Sequence, residues 1–358
     1  MMTNNIMLVK KNEKNHLKSI SDFKDKKIAV QKGTDQEKIA KTEIENADVT
    51  SLNKLPETIL SVKSGKAVGA ILEKPVAEAY IKQNPELAFS DVKFNEEKKP
   101  TCIAVPKNSP ILLKKLNQTI NEVNDKNLID HYMTKAANDM QDDGNFYTKY
   151  KSIFFKGLQN TILISFVGVV FGAILGAFIA LMKLSKFKPL SWIASIYIEF
   201  LRGTPLLVQV FIVFFGTTAA LGLDISALIC GTIALVINSS AYIAEIFRAG
   251  INSIDKGQTE AARSLGLSYN QTMKSVVMPQ AIKNILPALG NEFVTLIKES
   301  SIVSTIGVGE IMFNAQVVQG ISFDPFTPLL VAAGMYFILT FALSRIMNFI
   351  EGRMKASD

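Results

Sequence analysis

Residues 151–358 contain runs without a charged side chain that are as long as a bilayer is thick, and these runs decide what the chain can fold into. A hydrocarbon core of roughly 30 Å takes about 20 apolar residues as helix. Residues 158–182, 203–223, 225–244 and 325–344 meet that length with no Asp, Glu, Lys or Arg. In lipid, every backbone N–H and C=O must be satisfied within the protein, so such runs read as helices. The first carries Gly168, Gly172 and Gly176, a spacing that brings three small residues to one face for close packing. A fifth stretch, 288–313, holds Glu292, Lys298, Glu299 and Glu310, and hydropathy alone would demote it. Residues 1–150, dense in Lys, Glu, Asp and Asn, read as a separate soluble part.

Charge placement separates four spans from five. Lys183, Lys186, Lys188 and Arg202 follow the first run, and Arg248, Lys256, Arg263, Lys274 and Lys283 follow the third. Positive loops stay in the cytoplasm. Four spans would leave the basic end, Arg345, Arg353 and Lys355, outside; five place it inside. The expectation is therefore five transmembrane helices, an external N-terminal domain and a cytoplasmic C-terminus. The formal net charge of +7 then reflects span flanks and scattered solvated lysines, and no nucleic-acid partner is expected. Cys102, in the strand-like run TCIAV, and Cys230, in an apolar run, read as small core residues. With His16 and His131 the only histidines, no metal-ligand spacing is present, and neither metal nor cofactor is expected. No G-x-x-x-x-G-K-[ST] sequence occurs, so this chain is not read as an enzyme. Any ATP and Mg used in its work would be bound by another chain.

Between the third run and the 288–313 stretch lies TEAARSLGLSYNQTMKSVVMPQAIKNILP, beginning at Thr259. Glu260, Ala261 and Ala262 are followed by Gly266, then Val276, Met278 and Pro279. This pattern resembles the EAA loop of the permease subunits of ABC importers, at about 250–287 here. The resemblance implies that Glu260, Ala261, Ala262, Arg263, Gly266 and Pro279 form the cytoplasmic element that meets a partner ATPase. The residue chemistry suits this: 260–265 favours helix, Gly266 allows a turn at positive φ, and Pro279 can begin or kink the return to the membrane.

Three more segments narrow the resemblance: EFLRGTPLLVQVF from Glu199, SSAYIAEIFRAGINSIDKGQTEAARSLGLS from Ser239, and GNEFVTLIKESSIVSTIGVGEI from Gly290. Residues 150–358 are similar to the histidine/glutamine/arginine permease subfamily of type I ABC importers. This implies an all-α membrane domain working by alternating access, as a dimer of permease chains (here preferably a homodimer) on two ATPase chains. Asn238, Tyr242 and Glu245 share a helical face by spacing. Asn238, Ser239 and Tyr242 can line an amino-acid path, with Lys298 or Arg202 supplying positive charge and Glu299 alongside; interhelical hydrogen bonding is the alternative. Glu292 and Glu310 are open between the path and a structural role.

In the soluble part, KKIAVQKGT reads as a strand ending at Gly33, DQEKIAKTEI as a helix, 54–66 as a helix, VGAILEK as a strand, TCIAVPKNSP as a third strand, and 111–124 as a helix. Such alternation argues an α/β domain. Residues 1–145 resemble lobe two of a bacterial amino-acid-binding protein of the two-lobed, type II periplasmic kind. The resemblance implies that Gly33, Thr34, Asp35 and Gln36 grip a ligand carboxylate at a helix N-terminus, and that Glu73 takes the α-amino group. Asp35 departs from the family's usual Thr or Ser. The sequence opens at MMTNNIMLVKKNEK, where the resemblance implies entry to lobe two, and the expectation is that the family's first lobe and a signal peptide are missing before it. The expectation is a truncated fusion of binding protein and permease, from a miscalled start or an interrupted gene, with a separate solute-binding protein as a possible partner. The sum is a permease subunit of an ATP-driven importer of glutamine or another polar amino acid, multi-pass in a bacterial cell membrane. A ligand-gated ion channel with a binding-protein-like domain is the alternative, but the sequence holds no TVGYG-type filter.

Overall fold

The structure, a computed structural model, describes residues 2–95, 99–100, 102–129, 131–132, 135 and 145–355. It divides into two compact units, Met1–Lys149 with Val317–Pro328, and Tyr150–Gln316 with Leu329–Asp358.

In the first unit, β1 (Met2–Thr3) pairs antiparallel with β7 (Lys99–Pro100). The main sheet takes the order β4-β3-β5-β2-β6, from β2 (Asn5–Lys10), β3 (Lys27–Gln31), β4 (Asp48–Leu52), β5 (Gly69–Glu73) and β6 (Leu87–Phe89). Its strands alternate between two cores. Met7, Val9, Ile28, Val30 and Ile71 meet Ile39 and Ala40 of α1 (Asp35–Glu43) on one face. Leu8, Ala29, Ala70 and Leu72 meet Ile59 and Val62 of α2 (Leu55–Lys63) and Ala77 and Tyr80 of α3 (Lys74–Gln83) on the other. Apolar residues at every position of a short strand are what burial on both faces requires. Strands β4, β3 and β5 are parallel, so their C-terminal ends share one edge, where each feeds the N-terminus of a helix. Within this unit, Phe323 packs edge-on to Tyr80, 5.1 Å between ring centres, and its carbonyl accepts from Asn84 Nδ2 at 2.9 Å.

Of the expected third strand, TCIAVPKNSP, Thr101 lies outside the described residues, and the part from Cys102 on does not form. Pairing ends at Pro100, and residues 102–106 form no strand among the described residues; Cys102 is exposed, so it is not a core residue. Extended backbone without a neighbouring strand has no ladder to join. Helix α4 (Pro110–Asp125) forms as expected, with Ile111, Leu112 and Leu113 exposed.

The helices that make up the second unit, with Phe146–Lys149 and Val317–Pro328 counted in the first, are α5 (Phe146–Leu184), α6 (Lys188–Gly203), α7 (Leu206–Leu221), α8 (Ala227–Asn252), α9 (Lys256–Ser264), α10 (Tyr269–Thr272), α11 (Met278–Glu299), α12 (Ile311–Ser322) and α13 (Thr327–Lys355). Among the described residues, three helices, α5, α8 and α13, are long and apolar enough to cross a membrane, and five spans result if each of two bent pairs counts as one. The glycine stripe is used as its spacing predicts. A Cβ on Gly176 would stand 2.8 Å from the Ser240 carbonyl of α8, and one on Gly172 would stand 3.0 Å from Ser239 Oγ.

Both bent pairs revise expected limits. The run 203–223 holds one helix, α7, but α6 precedes it and meets it at 106°; 188–203, expected as a basic loop, is helical. Pro205 is the reason. It lacks an N–H for the helix ladder and pushes the preceding residue out of the helical region; Thr204 is extended, at φ −112° and ψ 144°. The stretch 288–313 breaks as well. A 3₁₀ turn, Ser300–Ile306, follows α11, Gly307 takes φ +87°, and α12 leaves at 50°.

Candidate functional site

The segment 255–279 is built to present a turn. Asp255 caps α9 by accepting from Gly257 N at 2.6 Å. The helix stops at Gly266, at φ +86°. Gly266 N donates to the Arg263 carbonyl at 3.0 Å and Leu267 N to the Ala262 carbonyl at 3.2 Å. This pair of reversed bonds is the left-handed helix stop that glycine favours. Arg263 Nη1 donates to the Leu267 carbonyl at 2.9 Å, tying the same turn. Ser268 then caps α10 in a reciprocal box with Gln271. A π-helical turn, Met273–Val277, leads without a break into α11; Pro279, at the start of α11, has no N–H for the helix ladder, and the irregular turn falls just before it. Ala262 is buried, while Glu260, Ala261, Arg263 and Gly266 are exposed. Leu265 is 83% exposed and Tyr269 62%. These two apolar side chains stand out on the turn and were not singled out from sequence, although each directly flanks the motif.

Inside the helical unit, the expected path residues go to different neighbours. Asn238 is buried and donates through Nδ2 to Gln209 Oε1 at 2.9 Å. Gln209 Nε2 in turn donates to the carbonyls of Leu201 and Thr204, at 2.8 and 3.1 Å, satisfying the free C-terminal end of α6 at the 106° break. Ser239, one position on, faces α11 and donates to Glu292 Oε1 at 3.2 Å. Tyr242 lies under the Arg202 guanidinium, 5.4 Å from ring centre to Cζ. Glu245 accepts from Arg248 through both carboxylate oxygens and pairs with Lys183 at 3.6 Å. Lys298 is exposed and Glu299 is half-buried on α11. Asn238 and Ser239 thus make the interhelical bonds that were the alternative to lining a path.

Glu310 is fully buried. It accepts from the backbone N–H groups of Met312 and Phe313, at 2.9 and 2.6 Å, and from the Tyr336 hydroxyl. It therefore caps α12 at the second break, its oxygens accepting from N–H groups that the helix start leaves free. Asn160 and Asn314 donate to the Gly309 carbonyl, and Thr161 Oγ1 accepts from Ile311 N.

In the first unit, the chain passes from β3 outward to β4 and then back to β5 on the other side of β3. The order reverses between β3 and β5, and ligands of open α/β sheets bind outside the strand ends at such a point. Gly33, Thr34, Asp35 and Gln36 leave β3 there, and Glu73 ends β5, exposed. Thr34 Oγ1 donates to the Gln31 carbonyl at 2.7 Å, and Gln36 Nε2 to Asn5 Oδ1 at 2.7 Å. Gly33 N donates at 2.6 Å to Glu37, whose carboxylate also accepts from Lys41 Nζ and Ser51 Oγ. The Lys41 bond foremost, then those from Gly33 and Ser51, hold the Glu37 carboxyl down at about 2.

Comparison with known proteins bears on the helical unit. Residues 162–356 match the family described as binding-protein-dependent transport system inner membrane component. The chain is 44% identical over 203 residues to the arginine transport system permease protein ArtQ of Bacillus subtilis, covering 57% of this chain and 93% of that one. It is 42% identical over 207 residues to a putative glutamine transport system permease protein GlnP of Rickettsia conorii, covering 57% and 95%. An amino acid ABC transporter crystallised with histidines is similar over 58% of this chain and 98% of that chain, at 47% identity and a TM-score of 0.56. The chain belongs to the binding-protein-dependent transport system inner membrane component family, the permeases of ABC importers. It is an integral membrane protein.

Proposed function

We propose that this chain is the permease subunit of an ATP-driven importer of polar amino acids in a bacterial cell membrane. The observation that carries the proposal is the capped helix, glycine stop and second capped helix at 255–279, exposed and lying within the region that matches the permease family. In this reading Glu260, Ala261, Ala262, Arg263, Gly266 and Pro279 couple the membrane helices to a partner ATPase. Leu265 and Tyr269 add an apolar contact on the same turn. ATP and Mg belong to that partner, and this subunit holds no cofactor of its own. Each bent helix pair counts as one span, giving five, with the first unit outside and the C-terminus in the cytoplasm. A second copy of the chain completes the path.

Arginine and glutamine are the substrates named for the two relatives, and both carry the ammonium and carboxylate that a polar path must accept. Glu292, with Ser239 beside it, is the acidic group best placed for the ammonium, and Lys298 and Glu299 lie further along the same helix. Residues 1–145, within the first unit, act as an amino-acid-binding lobe, with Gly33 to Gln36 and Glu73 at its ligand edge. This tethered lobe, or a separate solute-binding protein beside it, hands the amino acid to the path.

The test is uptake of labelled arginine and glutamine by proteoliposomes holding the full chain with its ATPase and ATP. Accumulation against a gradient that disappears without ATP is expected. Leu265→Glu is expected to lower uptake at least tenfold while ATPase and permease no longer co-purify, because a charge replaces the exposed apolar contact. ATP-independent ion flux triggered by amino acid would overturn the reading in favour of a ligand-gated channel.

A further inference from the structure

The sequence that joins α5 to α6, KLSKFKPLSW from Lys183 to Trp192, has three lysines in six residues, followed by the only tryptophan of the chain. Its fold opens a cleft of about 660 Å³ lined by Ser185, Lys188, Pro189, Ser191, Trp192 and Ser195. Lys183 is committed to Glu245. Lys188, in the lining, and Lys186, two residues before it, are exposed and have no ion-pair partner among the described residues.

The hydroxyls along the cleft are oriented by the backbone. Ser185 Oγ accepts from Phe187 N at 3.1 Å, which leaves its own proton to donate. Ser191 Oγ donates to the Lys183 carbonyl, and Ser195 Oγ to the Ser191 carbonyl, both at 2.9 Å, which leaves their lone pairs to accept. The cleft thus offers cationic and hydroxyl donors for an anion together with acceptors for hydroxyl groups. The same segment also exposes apolar side chains: Trp192, in the lining, is 68% exposed, Phe187 65%, Ile193 55% and Ile196 47%.

We propose that this cleft binds the headgroup of an anionic glycerol phospholipid, with Lys186 and Lys188 on the phosphodiester, Ser191 and Ser195 on headgroup hydroxyls, and an acyl chain along Ile193 and Ile196. A soluble anion would use the lysines but not the apolar flank. A docked protein face would leave two lysines to be neutralised, whereas the phosphodiester supplies charge and chain together. Trp192 at the junction has the amphipathic character of an interfacial anchor. The proposal rests on the membrane-permease reading and on no particular transport direction or substrate.

The lone tryptophan reports the site directly. The full chain is reconstituted in vesicles of neutral phosphatidylcholine doped with either brominated phosphatidylglycerol or brominated phosphatidylcholine, and quenching of Trp192 fluorescence is measured. Stronger quenching by the anionic lipid is expected, its preference falling roughly fivefold for each lysine removed. K186Q/K188Q abolishes the preference, K186R/K188R restores it, and K114Q/K115Q, an equal charge change on α4, leaves it intact. Added glycerol phosphate does not relieve the quenching, because it lacks the acyl chain; relief would show a site for a free anion and overturn the lipid assignment. Equal quenching by both lipids, or a preference that survives K186Q/K188Q, overturns it too. Absence of quenching by either lipid shows a cleft covered by protein, such as a second copy, and also overturns it. Quenching needs no ATPase or amino acid, so a failure of uptake with the lipid preference intact would count against the transport reading alone.

Discussion

Glu37 illustrates how much of this chain's site chemistry is decided at single residues. The resemblance to binding proteins assigns the backbone at Gly33 to a ligand carboxylate, yet Gly33 N already donates to the chain's own Glu37. A ligand using that donor must displace Glu37 or reach the neighbouring N–H groups. The arrangement also sets a pH dependence. The Glu37 carboxyl, held at about 2 chiefly by Lys41, titrates near 4.5 when free. The folded form therefore binds fewer protons than the unfolded form between these values. Its contribution is complete above about pH 4.5 and is lost as pH falls toward about 2. The expected outcome is a protection factor for the Gly33 amide that declines across that window and stays flat in Glu37→Gln. Flat protection in the unaltered chain would show that Glu37 does not hold the turn. Because its partner Lys41 is exposed, high salt should shrink the effect.

At the scale of elements, the two broken helix pairs share a device: a buried polar side chain meets the backbone groups that the break sets free. Gln209, held by Asn238, serves the end of α6, and Glu310, held by Tyr336, serves the start of α12. If Asn238 acts through Gln209, Asn238→Leu and Gln209→Leu should each lower stability by about 1–3 kcal/mol. The double variant should lose clearly less than the sum, since both remove one network. Thermal unfolding in detergent measures this, beside the KM for uptake. A raised KM with unchanged unfolding would instead return Asn238 to the substrate path. The spans themselves were legible because charge-free length is a one-dimensional property, and Gly266 was legible because a glycine after a short helix has few other uses. The breaks were not. Pro205 lies inside an apolar run, and hydropathy averages across it. Glu310 reads from sequence as a costly charge in lipid, and only the fold shows its three donors. The run TCIAV has strand composition, but composition cannot supply the neighbouring strand that a ladder needs.

For the whole molecule, the distribution of charge makes a stronger statement than any one contact. The basic groups after the first apolar run, after the third and at the C-terminal end fall on one side only if each bent pair crosses once. Counting the three straight helices alone would place α8 and α13 consecutively, with the basic segment 248–283 and the tail on opposite sides. That alternative is testable with the chain's own thiols. The sequence has two cysteines: Cys102, exposed in the first unit, and Cys230, buried in α8. A membrane-impermeant maleimide applied to intact protoplasts should label the chain at Cys102 in a Cys230→Ser background. A cysteine placed at the exposed Ser264, on the turn at 255–279, in a chain lacking both native thiols, should react only after the membrane is opened. Reaction of both on intact cells would put the turn outside, where no ATPase can meet it. Protection of Cys102 until lysis would place the first unit in the cytoplasm, where it could not present an external amino acid to the path. Only the expected pair of outcomes leaves the exposed face at 255–279 on the side where ATP is found.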